Sequence, residues 1–127
     1  GFSLVAQAYA KFCRGSFART AYRCDMPAVG YRVAKDQSAL LSPSYDEPMI
    51  ALQTISTVRR GWDDFVLDLA DFAEHWGGIP IFNQTVSTRP AYVPMSYGGR
   101  IESFRNIRRQ LDPEARFLNP YLARHYK

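Results

Sequence analysis

Residues 62–78 read Trp62-Asp63-Asp64-Phe65-Val66-Leu67-Asp68-Leu69-Ala70-Asp71-Phe72-Ala73-Glu74-His75-Trp76-Gly77-Gly78. Trp62, Phe65, Val66, Leu69, Phe72, Ala73 and Trp76 recur at helical spacing and form one continuous apolar stripe. Asp63 and Asp64 fall in the first turn, where the helix dipole favours negative charge. Gly77-Gly78 supplies the stop, since one glycine can take the left-handed conformation that closes a helix. The stretch predicts a helix over 62–76 whose stripe needs an apolar partner.

Working upstream, residues 49–57 (Met-Ile-Ala-Leu-Gln-Thr-Ile-Ser-Thr) and 29–35 (Val-Gly-Tyr-Arg-Val-Ala-Lys) read as strands, and the stripe is expected to lie on a sheet that contains them. Pro43 and Pro48 bracket a turn-rich connection. Val5, Ala8, Tyr9 and Phe12 fall at helical spacing, which predicts a helix over 3–13 stopped by Arg14-Gly15. Residues 16–28 show no clear period before Pro27. Downstream, 79–85 is a short strand or an extended loop. A last helix is expected at 99–111, burying Ile101, Phe104, Ile107 and Leu111. Its arginines Arg100, Arg105 and Arg109 form a solvated face, and Asp112-Pro113 ends it. The order predicts an α+β fold, an antiparallel sheet with helices packed on one face. Residues 1–127 form a single domain or a domain fragment.

Composition narrows the function. Hydrophobic residues make up 46 % of the chain, enough to build a core. The net charge of +4 is carried partly by the doublets Arg59-Arg60 and Arg108-Arg109, but no nucleic-acid motif surrounds them, so no nucleic-acid partner is expected. Cys13 and Cys24 are too few for a disulfide framework; one bridge between them stays open, and buried free thiols are the favoured reading. With only His75 and His125 beside them, a histidine–cysteine metal site is not expected. No apolar run reaches the roughly 20 residues of a membrane span, and no signal peptide is seen. The expected compartment leans to the cytoplasm. The first residue is Gly1 rather than Met, which suggests processing or a larger parent polypeptide.

Six pieces, in order, carry a resemblance: Gly30-Tyr31-Arg32, Leu41-Ser42-Pro43, the helix 62–76, Gly77-Gly78-Ile79-Pro80-Ile81-Phe82-Asn83-Gln84, the helix 99–111, and Leu111-Asp112-Pro113…Phe117-Leu118-Asn119-Pro120-Tyr121-Leu122. Over roughly residues 29–127 the chain resembles the C-terminal part of flavin-dependent oxidases of the vanillyl-alcohol-oxidase superfamily, closest to their aldonolactone oxidase branch. That branch has a Glu-x-Arg strand and a Leu-Ser-Pro turn. It then has Gly-Gly-x-Pro-His-Trp-x-Lys between two helices, and a Leu-Asp-Pro…Asn-x-Tyr ending. This chain departs from it at Gly30 (for the acidic residue), Ile81 (for His), Phe82 (for Trp) and Gln84 (for Lys), and so looks like a divergent member.

The resemblance implies an FAD-dependent oxidoreductase that oxidises a CH–OH group by hydride transfer to the flavin. The substrate would be an alcohol, a sugar lactone or something less polar. FAD would be held mainly by an N-terminal part of the same enzyme or by a partner chain. On the same grounds, Arg32 and Asn83 are the candidate catalytic residues. Ile81 and Gln84 are candidates for substrate binding, and Asn119 and Tyr121 for cofactor binding. Each has an alternative: Arg32 as a passive strand-surface cation, Asn83 and Gln84 as a polar loop end, Asn119 and Tyr121 as a C-terminal clamp. Arg32, Asn83 and Asn119 are expected to converge in the intact enzyme. The rival class is a non-catalytic α+β module, or a subunit of a heteromer, that keeps the scaffold without the chemistry.

Overall fold

The computed structural model describes residues 1–82, 84, 85 and 87–127. The described residues contain helices α1 (Phe2–Thr20), α2 (Trp62–His75), α3 (Tyr92–Tyr97), α4 (Arg100–Leu111) and α5 (Pro120–Tyr126), and strands β1 (Val29–Val33) and β2 (Met49–Gln53). The class is α+β, as expected. The chain divides into two compact units: residues 1–34 with 48–78, and residues 35–47 with 79–127.

In the first unit β1 and β2 pair antiparallel, with Tyr31 opposite Ala51 and Arg32 opposite Ile50. Both strands are shorter than the sequence suggested. Beyond Gln53 the backbone turns to Asp25, whose carboxylate accepts the Thr57 amide (2.8 Å), the Ser56 hydroxyl (3.0 Å) and the Thr57 hydroxyl. These bonds capture residues 56 and 57 and end the ladder. They hold the Asp25 carboxyl down at about 2, the Thr57 hydroxyl contributing most. Beyond Val33, the Asp36 amide donates to the Ser44 carbonyl (3.1 Å), which ends β1 in a turn.

Helix α1 runs through Gly15 and stops only at Ala21, which takes the left-handed conformation (φ 56°). One glycine inside a helix costs about 1 kcal/mol. Anchoring of the residues beyond it offsets that cost. The Thr20 hydroxyl donates to the Ser16 carbonyl (2.9 Å), and the Tyr22 hydroxyl donates to the Val58 carbonyl (3.1 Å) while its ring packs on Phe65 (5.1 Å).

The α2 stripe is present, but its partner differs from the expectation. Phe65 and Phe72 meet Phe12 of α1 (centroids 5.6 and 4.9 Å), and the core around Tyr22, Phe65 and Val66 is completed by Cys13, Cys24, Trp62 and Leu69. It is α1 that reaches the strand region, through the Phe2 ring against Gly30 and the Tyr9 hydroxyl bonded to Thr54 (2.9 Å). A longer α1 thus supplies the apolar surface assigned to the sheet. The helix ends as its glycines predicted: Gly77 has φ 71°, and the Gly78 amide donates to the Ala73 carbonyl (2.7 Å).

The second unit is helical. Val93, Ile101, Phe82, Tyr97 and Tyr126 are buried, and Phe82 packs on the rings of Tyr97 (5.8 Å) and Tyr126 (6.1 Å). Segment 79–85 is no strand: its described residues make a turn in which the Gln84 amide donates to the Ile81 carbonyl (3.1 Å). Among the described residues no helix is long and apolar enough to cross a membrane.

Candidate functional site

The second unit brings Ile81-Phe82 and the segment Leu111–Leu122 to one place. The chain path there is set by two side chains. Asp112 is buried at the end of α4, and its two oxygens accept the amides of Arg116 (2.8 Å) and Phe117 (3.0 Å). Burial alone would raise this carboxyl, but the Phe117 and Arg116 amides, helped by the charges of Arg108 and Arg116, hold it below the usual aspartate value. The turn closes with Ala115 in a left-handed conformation (φ 55°). Asn119 then caps α5: its side-chain oxygen accepts the Leu122 amide (2.8 Å), and Pro120 occupies the first helical turn, where no amide hydrogen is needed. Asp112 and Asn119 therefore work as a turn-and-cap device that aims α5.

Tyr121 and His125 lie four residues apart on α5 and meet the segment that follows Phe82. The Tyr121 hydroxyl is 2.6 Å from the Phe82 carbonyl, 3.0 Å from the Thr85 carbonyl and 3.2 Å from the Thr88 hydroxyl. His125 is buried. Its Nδ1 faces the Tyr121 carbonyl (2.9 Å), which can only accept, so Nδ1 carries hydrogen. Its Nε2 lies 3.0 Å from the Thr88 hydroxyl. Tyr121 and His125 thereby fix the backbone behind Phe82.

A second anchor comes from Arg100, which the sequence placed on a solvated face. Its side chain is instead 17 % exposed. It donates to the Leu40 carbonyl (2.6 Å) and the Asp46 carboxylate (3.3 Å), and it lies 4.2 Å over the Tyr45 ring. It thus fastens the Leu41-Ser42-Pro43 turn to α4. Between these parts runs a groove of about 790 Å³, lined by Leu41, Ile81, Phe82, Leu111, Phe117 and Leu122 among others. Leu111 and Phe117 are 79 % and 78 % exposed, unusual values for side chains of this size.

The candidate residues fall as follows. Ile81 lines the groove, and Gln84 is exposed beside it. Asn119 and Tyr121 spend their oxygen atoms on the α5 cap and on the carbonyls of Phe82 and Thr85. Arg32 is exposed on β1, in the first unit. Asn83 lies outside the described residues. At Gly30, where the resemblance expects an acid, an added Cβ would stand 2.7 Å from Cζ of the Phe2 ring, so any larger residue requires that ring to move. None of Asp112, His125, Thr88 and Arg100 was a candidate site residue in the sequence, although Asp112 belonged to the terminal motif. Asn119-Pro120 did carry a helix-start signal, but the partners of His125 and Arg100 lie 37 and 60 residues away.

No curated protein and no solved structure matches the chain. A family model, D-arabinono-1,4-lactone oxidase, matches residues 9–125, reaching back into α1 beyond the stretch that the sequence motifs covered. The motif pieces recur as structural parts within that match: the tethered Leu-Ser-Pro turn, the two-glycine helix stop, and the Asp112–Asn119 turn and cap. This chain belongs to the D-arabinono-1,4-lactone oxidase family, a divergent member of the aldonolactone oxidase branch of the flavin-dependent oxidases.

Proposed function

We propose that this chain is the C-terminal, substrate-side part of an FAD-dependent oxidoreductase that oxidises a CH–OH group of a lactone or of a less polar alcohol. The observation that carries this reading is the family match over residues 9–125, taken with the groove that unites Ile81-Phe82 and the Leu111–Leu122 segment. When bound, FAD supplies the hydride acceptor. The groove fits that cofactor in part. Its apolar walls suit a ring edge or an apolar substrate, but its described lining residues offer no set of phosphate donors. The nucleotide end would therefore rest on an N-terminal part of the enzyme or on a partner chain. The exposed Leu111 and Phe117 are surfaces such a part would cover.

In this reading the residues of the chain bind and orient. Ile81 and Phe82 form an apolar wall that excludes water. Gln84, with Asn83, orients a substrate hydroxyl or carbonyl. Arg32 has no hydrogen-bond or ion-pair partner among the described residues of the first unit, and its charge would be free to stabilise negative charge on the reacting groups of the intact enzyme. Asn119 and Tyr121 hold the wall in position beside the flavin.

The test uses the intact flavoenzyme. Arg32→Ala and Asn83→Ala are assayed by single-turnover flavin reduction with lactone and alcohol substrates. A fall of roughly 10²-fold in either variant is expected if the residue supports charge development. Wild-type rates and affinities in both would leave the two residues as scaffold. A second reading, a non-catalytic module, is favoured by Gly30, Ile81 and Gln84, which replace an acidic residue, a histidine and a lysine of the family. An intact protein that purifies without flavin and reduces none when FAD is added would establish it.

A further inference from the structure

We propose that the substrate groove selects a small anionic amphiphile: an apolar body seated between Leu41, Ile81 and Leu122, with a carboxylate held by the Arg108 guanidinium. This rests on reading the groove as the substrate wall, and it names the class of substrate.

The argument starts from the lining. Leu41, Ile81, Phe82, Leu111, Phe117 and Leu122 offer no hydrogen-bonding side chain, so a polyhydroxylated body would lose its water without replacement there. The volume, about 790 Å³, is that of a small-molecule site. Among the polar lining residues, Asp112 has both oxygens occupied by the Arg116 and Phe117 amides. Tyr126 is 7 % exposed, its ring packed against those of Phe82 (6.1 Å) and Tyr97 (6.4 Å). Arg108 differs. Its Nη1 makes one long bond to the Asp112 backbone carbonyl (3.4 Å). Its Nε is buried without a partner, and its Nη2 has none among the described residues. The charge of Arg108 also acts on the Asp112 carboxylate, but both oxygens of that carboxylate are taken by amides, so the unused Nη2 of a permanent cation at a mostly apolar groove suits a further, anionic acceptor. The fork geometry of guanidinium favours a carboxylate.

The probes are decanoate and decanol, equal in chain length and differing in charge. Each is titrated calorimetrically into the 127-residue chain, with Arg108→Gln as the variant and far-UV circular dichroism as the folding control. Decanoate should bind about tenfold more tightly than decanol, as one charge-assisted bond requires. Arg108→Gln should bring decanoate to the level of decanol and leave decanol unchanged. Should that variant fail to fold, Arg108→Lys replaces it, and partial retention of the preference is expected. Equal affinity of the two probes in the wild type overturns the proposal. So does a concentration-dependent dimer that decanoate does not dissociate, because a second copy then fills the groove. Loss of decanoate binding in the intact flavoenzyme also overturns it, because the groove is then an internal interface. Selective decanoate binding with no flavin reduction by any hydroxylated analogue keeps the site and removes the oxidase reading. Flavin reduction by neutral substrates without decanoate preference does the reverse.

Discussion

Replacing Tyr121 by Phe removes a single oxygen and leaves the ring in place. That oxygen lies 2.6 Å from the Phe82 carbonyl, 3.0 Å from the Thr85 carbonyl and 3.2 Å from the Thr88 hydroxyl. One phenol hydrogen serves one carbonyl at a time, and the 2.6 Å bond to Phe82 is the dominant one. Its net worth is about 1 kcal/mol, rising to about 2 kcal/mol if the Phe82 carbonyl, next to a side chain only 3 % exposed, finds no water in exchange. For a chain of this length, about 4 °C of melting temperature corresponds to each kcal/mol. Thermal unfolding by circular dichroism should therefore show a loss of about 4–8 °C. Amide exchange should rise at residues 84–88 and stay unchanged within α2. Trp62 and Trp76 both belong to the first unit, so tryptophan fluorescence follows that unit separately. A melting temperature within about 1 °C of wild type, with unchanged exchange at 84–88, would refute the claim that Tyr121 fixes the wall.

Phe65→Ala should cost roughly 3–5 kcal/mol in urea unfolding, because Phe65 is fully enclosed by Phe12, Tyr22 and Trp62. Phe72→Ala, at a half-buried position, should cost less, and the reverse ranking would contradict the α1–α2 packing described here. The acid limb of stability should reflect Asp25 and Asp112. Both carboxyls are depressed in the folded chain, so the unfolded chain binds more protons as the pH falls below the ordinary aspartate value near 3.9. Their contribution is complete above that value. For Asp25 it is lost toward pH 2, the region of its folded value. Melting temperatures measured from pH 7 to pH 2 should fall less steeply in Asp25→Asn and Asp112→Asn than in wild type, and parallel curves would count against both networks.

What was legible in the sequence was local. The α2 stripe, its glycine stop, the start of β1 and β2 and the span of α4 all rest on neighbours within a turn or a strand. The far ends of β1 and β2 were overrun because Asp25, Thr57, Asp36 and Ser44 compete for the backbone through bonds that periodicity does not register. Helix α3 went unseen because Pro94 reads as a breaker, although proline is tolerated in a first turn. Helix α5 had its signal in Asn119-Pro120, but seven residues carry too little pattern to stand alone. In the second unit, Ile81, named from its motif, lines the groove. Arg100, Arg108 and His125 were not legible, because an arginine on a helix looks solvated until a distant carbonyl or an apolar groove is placed against it.

The interleaving of the two units also orders events during synthesis. Residues 35–47 emerge with the first unit but belong to the second, and the guanidinium that fastens them through the Leu40 carbonyl is made 60 residues later. At translation speeds of roughly 5–20 residues per second, that interval is about 3–12 s. Throughout it, β1 and β2 can pair, yet the segment joining them lacks its Arg100 anchor, and Leu40 and Leu41 lack the α4 residues with which they line the groove. The nascent chain therefore carries an unfastened loop with two leucines until Arg100 clears the ribosome, a stretch open to a chaperone or a protease for that interval.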